Sequence, residues 1–102
     1  MENSSPIILA IDQGSGSTKA LAINLDGEVL AQHDVKISTA FPQPGWVEQD
    51  PEEIWQSVVT ASKAITKDHK ISAVGLSIQR ESVLLWDRNS GQALSKIITW
   101  QD

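Results

Sequence analysis

The sequence contains no cysteine, so disulfide frameworks and thiolate metal sites are excluded at the outset. That absence fits a reducing compartment. Basic residues are also scarce. Eight Lys and Arg stand against thirteen Asp and Glu, a formal charge of −5. A surface for nucleic acid or anionic lipid needs a basic patch, so neither is expected as a partner. Long apolar runs are missing as well. The stretch from Ile7 to Ile11 stops at Asp12, too short for a membrane span or a signal-peptide core, and the chain reads as cytoplasmic. Aromatic residues are few, and four of the five are tryptophan, which offers a flat apolar face and one N–H donor.

What remains is an ordinary globular composition, 40% hydrophobic and 21% charged, in 102 residues. That length suits one small domain with a modest core. The C-terminal residues ITWQD follow an apolar run with no polar trailer, which suggests a piece of a longer protein.

Periodicity predicts the order β, β, β, α, β, β, β. Ile7–Ile11 is short and β-branched-rich. Thr18–Leu25 alternates, with Ala20 and Ala22 on one face and Leu21, Ile23 and Leu25 on the other. Asp26-Gly27 is a dipeptide favoured in two-residue hairpins, and Glu28–Ile37 resumes as a strand with Val29, Ala31, Val35 and Ile37 inward. Residues 38–50 hold two prolines and a glycine and read as a loop, with Trp46 as a packed anchor. Asp50 then caps a helix over about 51–67, with Pro51 at its first position and Glu53 at capping-box spacing. Ile54, Trp55, Val58, Val59, Ser62 and Ile65 are its expected apolar face. Ile71–Ile78, expected to be buried, Ser82–Trp86 and Lys96–Trp100 complete the strands, with a turn at Asp87–Gly91. His33 and His69 show no ligand spacing.

Two polar clusters interrupt this pattern. The first, Asp12-Gln13-Gly14-Ser15-Gly16-Ser17-Thr18-Lys19, closes the first hairpin. It matches neither the Walker spacing nor the dinucleotide fingerprint, which demands a helix next. A tight Gly/Ser turn between strands can instead direct several backbone N–H groups into one concavity that binds anions. Ser15, Ser17 and Thr18 add hydroxyls and Lys19 a charge. Asp12 would repel a phosphate unless Mg²⁺ lay between them. The competing reading is a plain polar hairpin. The second cluster is Gln79-Arg80-Glu81, with Trp100 beyond it. A guanidinium that donates beside a carboxylate that accepts can hold adjacent hydroxyls of a polyol, and a surface ion pair is the ordinary alternative.

Taken together, ILAIDQGSGSTKAL, FPQPGWVEQDPEEIW, AVGLSIQRESVLLWDRNSG and IITWQD, in that order, resemble the FGGY carbohydrate kinases, the glycerol kinases among them above all. The resemblance runs over essentially the whole chain. It implies an α/β ribonuclease H-like, actin-like ATPase fold, with residues 1–102 forming only the first portion of the family's N-terminal domain. It implies ATP and Mg²⁺ as cofactors, Asp12 as the magnesium-associated acid, and Gly14, Ser15, Gly16, Ser17, Thr18 and Lys19 as the loop meeting nucleotide phosphate. It implies Arg80, Glu81 and Trp100 as contacts to a sugar or polyol, and it leaves the oligomeric state open, a homo-oligomer at full length included. The aspartate that would deprotonate the acceptor, and the adenine pocket, would lie beyond residue 102, so this stretch alone would be inactive. Two departures stand out. Gly16 and Lys19 occupy positions where glycerol kinases usually carry threonine and arginine, which keeps the charge at 19 but loses a bidentate fork. A non-kinase actin-like ATPase and a non-catalytic binding module remain open at this point.

Overall fold

A computed structural model describes residues 5–79, 82 and 84–99. Strands β1 (Ile7–Gln13), β2 (Ser17–Asn24) and β3 (Val29–Lys36) form an antiparallel meander. After the short strand β4 (Glu48–Gln49) and helix α1 (Pro51–Thr66), strand β5 (Ala73–Ile78) returns parallel to β1. The resulting sheet has the order β3-β2-β1-β5. A second sheet pairs β4 with β6 (Ile97–Ile98).

The period of two in β1 and β2 selects the buried face. Leu9, Ile11 and Gln13 alternate with Ile8, Ala10 and Asp12, and the first set faces α1 together with Thr18, Ala20 and Ala22 of β2. The helix meets this surface with Ser57, Ala61 and Ile65, all buried, flanked by the half-buried Ile54 and Val58. Ile54, Val58 and Ile65 lie on the expected face, but Ser57 and Ala61 are buried in it and Trp55 is not, which corrects the expectation. Trp55 is 58% exposed. It stands two residues before Ser57, on nearly the opposite side of the helix. Alanine and threonine in β2 let the helix come close only where it also carries small side chains. The buried contact is sealed by the Thr18 and Ser57 hydroxyls, 2.7 Å apart, and because Ser57 donates to the Ile54 carbonyl at 2.6 Å, Thr18 is the donor of the pair.

The helix N-terminus follows the capping rule in part. Asp50 accepts from the Glu52 N–H at 3.0 Å. Glu53 instead accepts the Ser38 N–H at 3.0 Å, so the capping-box acid ties the preceding loop to the helix.

Other elements differ from the expected pattern for identifiable reasons. The β2–β3 connection is a three-residue loop, Leu25–Gly27, with Gly27 at φ +86° and its N–H bonded to the Asn24 carbonyl. This is the turn-plus-left-handed-residue form of hairpin, and the Asn24 side chain accepts the Asp26 and Glu28 N–H groups across it. A bulge beside Ala22 and Ile23 then shifts the register, and Val29 is exposed where it was expected inside. Trp46 is also exposed, and the adjacent Val47 is the buried anchor of its loop. Strand β5 is exposed along its whole length, against expectation, because α1 packs on β1, β2 and β3 and leaves β5 uncovered. Among the described residues of 82–86 there is no strand. Trp86 forms a single bridge with Ala93 on an exposed arm. The arm turns at 88–90, where the Asn89 N–H bonds to the Asp87 carboxylate and holds it below the ordinary carboxylate range. The last strand is shortened to two residues and lies in the second sheet, outside the main one.

Candidate functional site

The first polar cluster lies where β1 and β2 run out. Asp12 ends the face of β1 turned away from α1 and is exposed. The register sets it beside Lys19 on β2 and Ser77 on β5, and Lys19 is followed by Asp34 on β3. A polar row therefore crosses all four strands on the open face of the sheet, beyond the apolar positions Ala10 and Leu21. Opposite charges in directly facing positions are mutually favourable.

Past this row the chain reverses through Gly14, Ser15 and Gly16, with the Gly14 N–H donating to the Ser17 carbonyl at 2.9 Å. Each carbonyl of the loop is held from the protein side. Gln13 Nε2 donates to the Gly14 carbonyl at 2.8 Å, Gln49 Nε2 to the Ser15 carbonyl at 2.6 Å, and the Ile37 N–H to the Gly16 carbonyl at 3.1 Å. A trans peptide places its N–H opposite its C=O. Holding these carbonyls inward therefore turns the N–H groups of Ser15, Gly16 and Ser17 the other way. Among the described residues no acceptor is found for the Ser15 or Gly16 N–H outside regular strand pairing. Backbone donors freed in such a turn can bind an anion where they converge.

The glycines leave room there. A β-carbon on Gly16 would meet nothing within 4 Å, and one on Gly14 would stand 3.4 Å from the Ser17 carbonyl, an ordinary contact. Thr18 is different from its neighbours in the cluster. It is fully buried with its hydroxyl on Ser57, so it supports the loop from beneath and offers no hydroxyl to the open side.

Three glutamines join this loop to the second cluster: the sequence pattern includes Gln13 and Gln79 in the two clusters without giving either a role, and it passes over Gln49. Gln79 Nε2 donates to Gln49 Oε1 at 3.0 Å and to Gln13 Oε1 at 3.3 Å, and the Ser82 hydroxyl donates to Gln79 Oε1 at 2.8 Å. Gln49 also reaches Thr39 Oγ1 at 3.2 Å. A signal existed for Gln13 alone: the alternation that buries Leu9 and Ile11 places it on the same face. Arg80, Glu81 and Trp100 lie outside the described residues.

The family model for the FGGY family of carbohydrate kinases, N-terminal domain, matches residues 7–102. The chain belongs to this family. Glycerol kinase from Coxiella burnetii (strain RSA 493 / Nine Mile phase I) is 46% identical over 96% of this chain, and glycerol kinase from Dechloromonas aromatica (strain RCB) 42% over 99%. In both cases the match spans only 21% of the relative. Among solved structures, Plasmodium falciparum glycerol kinase with ADP superposes with a TM-score of 0.85 at 31% identity, over 100% of this chain and 22% of that one. Gluconate kinase from Lactobacillus acidophilus gives 0.88 at 27% identity, over 97% and 20%. The fold is therefore that of the actin-like ATPase kinases, present here as an incomplete α/β domain with a mixed sheet. No described helix is long and apolar enough to cross a membrane.

Membership of an FGGY family implies ATP and usually Mg²⁺. The residues present fit such an ion. Mg²⁺ keeps several waters and takes one or two carboxylates together with substrate phosphates. Asp12 is one exposed carboxylate at the strand end that leads into the 14–16 turn. Among the described residues no group of three or more His, Asp or Glu is placed to hold a metal by itself.

Proposed function

We propose that this chain supplies the N-terminal part of the catalytic site of an ATP-dependent carbohydrate kinase. The enzyme would transfer the ATP γ-phosphate to a hydroxyl of a sugar or polyol, with glycerol or a close analogue as the first candidate acceptor. The observation that carries this reading is the 14–16 loop, whose carbonyls are all held inward while its amides face out beside Asp12 and Lys19.

In this reading the loop amides and the Lys19 ammonium bind β- and γ-phosphate oxygens and offset their charge. Ser15 and Ser17 add hydroxyl donors. Asp12 would hold Mg²⁺, which when bound supplies further neutralisation of the phosphates. Thr18 keeps the hairpin seated on α1. Arg80 and Glu81 would fix adjacent acceptor hydroxyls, and Trp100 would cover the carbon face. Phosphoryl transfer gains mostly from positioning and charge stabilisation, which is what these groups offer. The proton acceptor for the attacking hydroxyl and the adenine site would come from polypeptide beyond residue 102. Nucleic acid is not a partner in this reading.

The test is steady-state kinetics on the full-length gene product with Mg-ATP and a panel containing glycerol, gluconate and xylulose, scored by ADP release and by phosphorylated product. Acceptor-dependent ADP release with glycerol at the highest kcat/KM is expected. ADP release indifferent to every acceptor would favour an actin-like ATPase of another kind, and ADP binding without turnover would favour a binding module.

A further inference from the structure

The loop that meets phosphate does not set its own shape. We infer that Gln49 is a positioning residue: its amide fixes the Ser15 carbonyl, and so the direction of the Gly16 N–H, while its carbonyl ties that loop through Gln79 to the segment that continues into Arg80 and Glu81. The inference rests on the kinase reading above.

Four observations support it. Gln49 is 2% exposed, although it sits on a two-residue strand at the end of a loop otherwise largely open to solvent. Every polar atom of its side chain is used: two N–H donors on the Ser15 carbonyl and Thr39 Oγ1, and one carbonyl accepting from Gln79. Its bond to Ser15, at 2.6 Å, is shorter than those of Gln79 to its two glutamine partners. Finally, the chain reaches Ser15 from 34 residues away and Gln79 from 30, so a single side chain joins two segments that the main sheet holds only through separate strands.

The physical consequence follows from peptide geometry. Without a donor on the Ser15 carbonyl, the 15–16 peptide is free to rotate, because glycine at 16 imposes little restriction. A donor pointing in several directions binds phosphate less well than one held in place. The bond from Gln79 to Gln49 Oε1 adds a second effect. It links the position of the phosphate loop to that of the acceptor segment, so loss of Gln49 should disturb both substrates and loss of Gln79 the acceptor more than the nucleotide.

The experiment uses the full-length gene product with Gln49→Met, which keeps length but removes donors and acceptor, and Gln79→Met, at a partly exposed position. Ile65→Val serves as a core variant distant from the loop. ADP affinity is measured by equilibrium titration, and kcat and both KM values by kinetics. Gln49→Met should weaken ADP binding and raise the KM for ATP by about tenfold, with kcat also reduced. Gln79→Met should raise the acceptor KM by about fivefold with a smaller change for ADP. Ile65→Val should lower the melting temperature while leaving both affinities unchanged. The inference is overturned if Gln49→Met loses only thermal stability, or binds ADP as tightly as the wild type. Should Gln49→Met fail to fold, unchanged kinetics in Gln79→Met would overturn the coupling. A wild-type protein that binds no ADP would instead defeat the kinase reading itself, which separates the two failures.

Discussion

At the scale of single residues, backbone conformation separates glycines that the fold requires from glycines that it tolerates. Gly27 has φ +86°, in the left-handed region that disfavours a β-carbon. Gly16 has no such angle and open space around its missing side chain. Gly27→Ala should therefore cost about 1 kcal/mol or more, and Gly16→Thr should change stability by less than about 0.5 kcal/mol, both read from denaturant unfolding. Near-equal losses would show that the 14–16 turn depends on glycine after all. The residues proposed to act on substrate separate in kinetics. In the full-length gene product, Asp12→Ala should lower kcat about a hundredfold, roughly 3 kcal/mol of transition-state stabilisation. Arg80→Ala should mainly raise the acceptor KM, with about 1.5–3 kcal/mol lost from a charged hydrogen bond. Varying ATP and acceptor separately distinguishes them, and unchanged acceptor kinetics in Arg80→Ala would reduce Gln79-Arg80-Glu81 to a surface ion pair.

At the scale of elements, the same hydrophobic residue types have different worth on β5 and on α1. Ile65 is buried at the centre of the helix–sheet contact, whereas Leu76 is 66% exposed on β5. Ile65→Ala removes buried carbon and leaves a cavity, an expected loss of about 2–5 kcal/mol. Leu76→Ala in the 102-residue chain should lose about 0.5 kcal/mol or less. Thermal or urea unfolding of the two variants is the measurement, and a large loss for Leu76→Ala would mean that β5 is covered in solution. The meander and α1 were legible at this scale because their signals are local: a short β-branched apolar run in β1, the two faces of β2, the Asp26-Gly27 turn, and Asp50-Pro51 at the helix start. The short strand β4 was not, because it is created by pairing with a partner nearly fifty residues away, and β6 was expected within Lys96–Trp100 but without that partner or its two-residue length. Trp55 was placed on the wrong helix face for a related reason. Apolarity alone favoured Trp55, but the alanines of β2 select a small-residue face.

At the scale of the whole molecule, the chain does not close around a single core. Its radius of gyration is 16.0 Å, where a compact domain of 100 residues has about 13 Å. Val74, Leu76 and Ile78 stand uncovered on the α1 side of the sheet, and the match to curated relatives covers 21% of their length. On the proposed function, the purified 102-residue chain should show no acceptor-stimulated ATP turnover, because in that reading the proton acceptor for the hydroxyl and the adenine site would come from other polypeptide. Turnover above background with any polyol, abolished by Asp12→Ala, would mean that the chemistry is complete within these residues.

The sequence by itself determined the local elements and the composition of the turn proposed to meet phosphate. Period-two alternation, a capped helix start and a Gly/Ser reversal after a buried strand are all written in neighbouring residues. It also placed the chain in its family, through four motifs in order. Only the tertiary structure decided which atoms of that turn face outward. The Thr18 hydroxyl is taken by Ser57, and the loop carbonyls are taken by Gln13, Gln49 and the Ile37 N–H. Those partners lie up to 39 residues away in sequence. A peptide group's direction depends on what holds its carbonyl, and no local pattern specifies a hydrogen bond that the folded sheet and loop must first bring within reach.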